Sequence, residues 1–373
     1  MTNPETIWRA LANAGVSKVA YNPCNKLNAV MQQVPSDIGV LNITKESAGL
    51  GLCFGRSLAG KRSAMFIQNT GLGNLITELY TLQKLYQVAL PIFVSWRGHY
   101  QEPIEAQVIF GNKVESLLRA IDVDYTICEK SKDLQDLDQS VEDCFNENKV
   151  KVYLLSPELW EENLPDFHVF GHPALNTIHN STAGYEGKPS LNRKGAIDVI
   201  MNSINDDDIL LSQIGFPSKE VYNSKDRDHN FYLLGALGAA TEVGIGLALE
   251  KPDRHIYVID GDGAFFFNPN QLFDLAVYKP ENLTVICLDN GSWGSTGNQP
   301  TLSSSGMNLS AIASALGIDN KGMTDSAEEL TALLRNKPQF LHYFIEAGND
   351  KTGVEIPLHA IEIKQRFMNA ISG

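Results

Sequence analysis

Long apolar runs are missing from this 373-residue sequence: nowhere do 18 or more such residues follow one another, which argues against a membrane span. A basic surplus is missing too. Thirty Lys and Arg against 44 Asp and Glu leave a net charge of −14, which repels polyanions and argues against nucleic acid as a partner. A small anionic substrate stays compatible, because a pocket can be locally basic on an acidic protein. Cysteine is scarce and scattered, at 24, 53, 128, 144 and 287, with no CxxC pair and no Cys/His cluster. Neither a disulfide framework nor a zinc site is expected, and reduced thiols in the cores of a cytoplasmic protein account for most of them. The opening MTNPETIWRALANAG lacks a basic stretch followed by an apolar core, so it reads as an amphipathic helix and not as a secretory signal.

What is present is ordinary for a soluble globular protein: 43% hydrophobic and 20% charged residues. The length exceeds the usual size of one hydrophobic core, so two domains are expected. Over 1–160 the sequence predicts a helix at 5–14, strands at 17–23, 63–68, 90–96 and 150–156, and helical segments at 44–59, 75–87, 111–121 and 133–146. Strands separated by helix-length segments predict a mostly parallel α/β sheet flanked by helices. Residues 161–190, rich in Pro, Gly, Asn and Ser and without a sustained period, read as an interdomain linker. Over 191–373 strands are predicted at 207–213, 254–260, 282–289 and 341–347. Helices are predicted there at 193–204, 235–250, 269–278, 308–315, 326–335 and 358–371.

The chemistry concentrates at two strand ends of the second half. RHIYVID (254–260) runs into Gly261-Asp262-Gly263, and NLTVICLD (282–289) runs into Asn290-Gly291-Ser292, so Asp262 and Asn290 stand 28 positions apart. Ligands of a parallel sheet gather outside the carboxyl ends of its strands, so both turns face one crevice. The glycines let a ligand approach the backbone, while a carboxylate and an amide oxygen suit a hard cation. Mg²⁺ in particular shares its shell with phosphates and water. A dinucleotide fingerprint fits less well: GxGxxG read from Gly261 puts Phe266 at the third glycine. Asp262 would also face the pyrophosphate with like charge unless a metal stood between them. Two ordinary strand-end turns are the plainer alternative.

The segment from Gly261-Asp262-Gly263 to DNGSWGSTGNQPT (289–301) resembles the diphosphate-binding motif of the thiamine diphosphate enzymes. The resemblance implies that Asp262, the Asn290 side chain and the Ser292 carbonyl ligate Mg²⁺, with Gly261, Gly263 and Ser292 at the cofactor. FYLLGALGAATEVGIGLALE (231–250) resembles the segment that bends the cofactor: Gly235 would accept from its 4′-amino group, Leu237 would be the apolar wedge, and Gly238 follows. In the first half, ITKESAGLGLCFGRSLAG (43–60), just after a short strand, resembles the pyrimidine-domain helix whose leading glutamate activates the cofactor. That assigns the role to Glu46, which by itself is equally a first-turn carboxylate favoured by the helix dipole. The implied architecture is two thiamine-diphosphate-binding-type α/β domains, the pyrimidine-binding one over 1–160 and the diphosphate- and Mg-binding one over 191–373.

Many thiamine diphosphate decarboxylases carry a third, middle domain, for which this sequence has no room; that compactness resembles the sulfopyruvate and phosphonopyruvate decarboxylases. YNPCNKLN (21–28), IQNTGLGN (67–74), SWRGHYQEPIEAQVIFG (95–111) and SQIGFPSKEVY (212–222) extend the likeness along the chain. Sulfopyruvate enzymes can have the two halves as separate subunits, so this chain looks like their fusion. Glu105-Ala106-Gln107-Val108 is closer to the sulfopyruvate group than to the phosphonopyruvate group, which has an acidic stretch running into Pro-Gln-His. Two positions depart from the relatives: Tyr21-Asn22 stands where Gly and an aliphatic are favoured, and His99 replaces a common Glu. The implied reaction is non-oxidative decarboxylation of 3-sulfopyruvate to sulfoacetaldehyde and CO2, in coenzyme M biosynthesis; phosphonopyruvate or another 2-oxo acid is the alternative substrate. Arg97 is the candidate for the anionic head, since its planar fork matches tetrahedral oxyanions, although a solvated turn arginine is the plainer reading. Gln68, Asn69, Asn74 and His99 are candidates for further substrate contacts or for shaping their turns. The resemblance also implies a homodimer or homotetramer whose active sites each join the N-terminal domain of one chain to the C-terminal domain of another.

Overall fold

Alternation of buried apolar runs with helices produces two parallel sheets. The computed structural model describes residues 2–43, 45–102, 104–160, 188–294, 299–319, 321–350 and 352–372. Most of the expected linker therefore lies outside the described residues, as does 295–298 of the DNGSWGSTGNQPT segment. The chain forms two compact units, Met1–His172 and Pro173–Gly373.

The first unit begins with a helix, Asn3–Asn13, fixed at its start by a reciprocal cap: Thr2 Oγ1 accepts from the Glu5 N–H and Glu5 Oε2 from the Thr2 N–H. Its sheet contains β1 (Val16–Tyr21), β2 (Gly39–Asn42), β3 (Arg62–Gln68), β4 (Leu90–Ser95), β5 (Asp124–Cys128) and β6 (Val150–Leu155). The order is β2-β1-β3-β4-β6-β5, with every pairing parallel. All six residues of β4 are buried, as a strand covered on both faces requires. Phe66, Phe93 and Tyr153 stand in register on β3, β4 and β6, and their rings stack at 5.0 and 4.7 Å between centroids.

The second unit contains β7 (Ile209–Ser212), β8 (Asn230–Tyr232), β9 (Ile256–Gly261) and β10 (Leu283–Asp289). A two-residue hairpin follows, β11 (Ser292–Trp293) and β12 (Gln299–Pro300), then β13 (Lys321–Thr324) and β14 (Phe340–Phe344). The main sheet runs β13-β14-β10-β9-β7-β8, again all parallel. Counted within its own unit, this order repeats that of the first sheet. In each sheet the first strand, β1 or β7, lies between the second and third strands of its unit. The connections therefore leave in opposite directions and open a crevice at the carboxyl ends of β1/β3 and of β7/β9.

The eight predicted strands are the inner four of each sheet. The edge strands β5, β8 and β13 were not among them, because three to five residues with one neighbour leave little periodic signal. Two predicted helices need correction. Residues 75–87 are a short α-helical turn, Ile76–Glu78, that widens to a π-helix over Leu79–Lys84. Of 235–250 only Ala240–Ala248 is helical, and the residues before it form a turn. Among the described residues no helix is long and apolar enough to cross a membrane.

Candidate active site

In the first unit the crevice collects Glu46, Asn22, Gln68 and their neighbours. Glu46 opens the helix Glu46–Leu58, four residues beyond the end of β2, and its side chain turns inward, leaving the residue 8% exposed. Each carboxylate oxygen accepts from an amide: Oε1 from Asn22 Nδ2 and Oε2 from Asn74 Nδ2, both at 2.9 Å. A Cβ at Gly71 would stand 2.4 Å from Oε1, so only glycine leaves room for this carboxylate. Asn74, a candidate for substrate contact or for shaping its turn, hydrogen-bonds Glu46.

A second cluster surrounds Arg97. Its fork is filled by Glu102, with Nε to Oε2 and Nη2 to Oε1 at 2.8 Å, and the two side chains are 9% and 2% exposed. Nη1 donates to Asn25 Oδ1 and Gln68 Oε1, each at 3.3 Å. The Cys24 thiol lies 3.4 Å from the same Gln68 oxygen. Asn69 Nδ2 donates to the Arg97 carbonyl at 2.8 Å, while its buried Oδ1 has no partner. The hydrogen bond from Arg97 holds the Glu102 carboxyl below the usual range. The Arg97 fork thus already holds a carboxylate, with which an anionic head at this guanidinium would compete. Glu102 escaped sequence reading because nothing in SWRGHYQE says the loop folds back. His99 stands apart from this cluster, stacked on Trp96 at 3.9 Å and 2.7 Å from Glu129.

In the second unit Asp262, Asn290, Ser292, Gly261, Gly263 and Leu237 all line one cleft at the carboxyl ends of β7, β9 and β10. Gly261 closes β9 and meets nothing nearer than 3.8 Å where a Cβ would stand, so its backbone is open to a ligand. Gly263 is crowded instead: a Cβ there would press on the Trp293 ring at 2.7 Å. Asp262 accepts from Thr301 Oγ1 at 2.5 Å, and Asn290 Oδ1 accepts from the Ser292 N–H at 3.0 Å. The Ser292 carbonyl accepts from the Gly294 N–H at 3.0 Å, and the Ser292 hydroxyl is buried without a partner.

Behind the cleft a second carboxylate, Asp289, neighbours Asp262, and their surroundings separate them. Burial and then the neighbouring Asp289 charge push Asp262 up to about 7. Burial alone would raise Asp289 as well, but the hydrogen bond and charge of His342, 2.8 Å away, with Ser303 and the Gly291 N–H, hold it below the usual range. Asp260 is likewise lifted to about 7 by burial. A divalent cation at Asp262 would relieve this charge. Among the described residues no three His, Cys, Asp or Glu side chains gather to hold a metal unaided. The oxygen donors of Asp262, Asn290 and Ser292 suit a hard ion of the kind that shares its shell with phosphate.

Gly235 and Gly238 frame a turn that carries Leu237 into the cleft. Ala236 and Gly238 both lie in the left-handed region, at φ of 58° and 76°. An alanine there costs on the order of 1–2 kcal/mol, so the surroundings must hold it. Asn268 does so: its Nδ2 donates to the Gly238 carbonyl at 2.6 Å and to Glu242 Oε1 at 2.8 Å. Sequence reading missed both Asn268 and Glu242, along with Arg193, which lines the same cleft with its fork on Glu220.

Residues 216–341 match the family described as thiamine pyrophosphate enzyme, C-terminal TPP binding domain. The chain is 33% identical to a sulfopyruvate decarboxylase of Methanosarcina acetivorans, over 100% of this chain and 98% of that protein. It is 30% identical to a phosphonopyruvate decarboxylase of Streptomyces viridochromogenes, over 91% and 87% of the respective chains. The fold is that of the benzoylformate decarboxylase from Polynucleobacter necessarius, with a TM-score of 0.71, 14% identity, and coverage of 94% of this chain and 99% of that one. With its full length matched, the chain belongs to the thiamine pyrophosphate-dependent decarboxylase family that includes the sulfopyruvate and phosphonopyruvate decarboxylases.

Proposed function

We propose that this protein decarboxylates 3-sulfopyruvate to sulfoacetaldehyde and CO2, as a step of coenzyme M biosynthesis. The observation that carries this reading is the full-length likeness to a sulfopyruvate decarboxylase in a chain whose Asp262, Asn290, Ser292 and Leu237 line one cleft. Asp262, the Asn290 side chain and the Ser292 carbonyl would hold Mg²⁺, with the open backbone of Gly261, and Gly263 packed under Trp293, beside the diphosphate. Gly235 and Leu237, presented by the turn that Asn268 braces, would hold the bent cofactor. When bound, thiamine diphosphate supplies the electron sink for the pair left behind as CO2 departs. Glu46 would hold a proton at the cofactor's pyrimidine nitrogen N1′. The Arg97 cluster, with Gln68 and Asn69, would receive the substrate's anionic head, and His99 would stand at its margin. A homodimer or homotetramer, in which Glu46 of one chain serves the Asp262 cleft of another, fits this division of parts between two units.

The test is CO2 release from sulfopyruvate, phosphonopyruvate and pyruvate in the presence of thiamine diphosphate and Mg²⁺. Sulfopyruvate should have the highest kcat/KM; a higher value for phosphonopyruvate refutes the substrate assignment.

A further inference from the structure

Glu46 is gripped on both sides by groups that neither the family likeness nor sequence reading assigned to it. Asn22 reaches it from the residue after β1, and Asn74 from the glycine-rich turn after β3, so the two amides arrive from separate elements. One amide on each oxygen fixes the plane of the carboxyl group, and Gly71 gives it the space to lie there. The clamp therefore aims the group, because both oxygens are held from separate elements.

We propose that Asn22 and Asn74 are positioning residues that set the reactivity of Glu46 towards the aminopyrimidine ring of thiamine diphosphate. The inference rests on the reading of Glu46 as the cofactor-activating acid. With both oxygens held, the carboxyl group can meet the ring nitrogen N1′ in only one orientation. The Tyr21-Asn22 pair stands where the relatives favour Gly and an aliphatic, neither of which has a side-chain donor, so Asn22 adds a donor at that point.

Exchange of the C2 proton of bound thiamine diphosphate in D2O, without substrate, reads the activated state directly. Asn22→Asp and Asn74→Asp keep the shape and replace a donor with an acceptor. Each should slow exchange about tenfold or more, the loss expected for one hydrogen bond to a charged group. Calorimetric affinity for thiamine diphosphate with Mg²⁺ should stay within about twofold, because the diphosphate contacts belong to the second unit. Asn22→Ala and Asn74→Ala, which remove the donor without adding charge, should show the same slowing to a smaller degree and serve if the aspartates do not fold. Slow exchange in Glu46→Gln with wild-type exchange in all four asparagine variants overturns this inference alone. Wild-type exchange in Glu46→Gln overturns the reading of Glu46, and the inference with it.

Discussion

Replacing Glu242 with glutamine should stabilise the protein, increasingly so as the pH rises. Glu242 is wholly buried on the helix Ala240–Ala248, with Oε1 bonded to Asn268 and Oε2 unpartnered. Burial first, and then the Asp274 charge, raise its carboxyl well above 4.5 in the folded protein. In the unfolded chain it ionises near its ordinary value, so the sign is clear: below pH 4.5 the group is neutral in both states and costs nothing. Above that, the unfolded state sheds a proton that the folded state keeps, and stability falls by up to about 1.4 kcal/mol per pH unit. From pH 4.5 to pH 7 the loss reaches at most about 3.5 kcal/mol. Glutamine keeps the acceptor for Asn268, cannot ionise, and can donate towards Asp274. Thermal unfolding of both proteins from pH 5 to pH 8 is the assay. The gap should be small at pH 5 and widen to several degrees at pH 7, at roughly 2–4 °C per kcal/mol. A gap that does not grow with pH, or a less stable variant at pH 7, refutes the reasoning.

Asp262→Ala should lose affinity for thiamine diphosphate with Mg²⁺, read by calorimetry, since the residue is the only carboxylate proposed as a metal ligand. Gly71→Ala places a methyl group 2.4 Å from Glu46 Oε1, so decarboxylation should fall at least about tenfold while cofactor affinity is kept. Arg97→Met strands the buried Glu102 and should cost about 3–5 kcal/mol in chemical denaturation; adding Glu102→Gln should recover much of it. If Arg97 takes the anionic head, the stable double variant should also lose its preference for sulfopyruvate over pyruvate. Refolding Glu46→Gln chains together with Asp262→Ala chains should restore part of the activity, which verified mixed oligomers can be assayed for.

The cleft of the second unit was legible because its ligands sit where strands end. Long apolar runs fix β9 and β10, and Gly261-Asp262-Gly263 and Asn290-Gly291-Ser292 follow without a gap, so topology alone brings them together. Leu237 joined them although its segment was read as helical, because the likeness marked the residue and not its backbone. The first unit was less legible for a physical reason. Asn22, Glu46 and Asn74 meet across 24 and 28 positions, and Arg97 meets Glu102 within a turn whose direction no periodicity reports. Polar partners chosen by tertiary contact leave no pattern in the sequence, so Asn74 and Arg97 stand out there as candidates while their actual neighbours do not.

The shared strand order also dictates when each sheet can close during synthesis. β5 pairs only with β6, and β13 only with β14, yet each is made before the strand it needs. The penultimate strand therefore emerges with no ladder to join, and the final strand must slot between it and β4 or β10. At ordinary synthesis rates the wait between β5 and β6 is roughly 1–5 s. For that interval β4, apolar but for Ser95, is an open edge of a half-built sheet, the kind of surface that chaperones recognise. A ribosome stalled just before β6 or β14 would hold the nascent chain at its most aggregation-prone lengths.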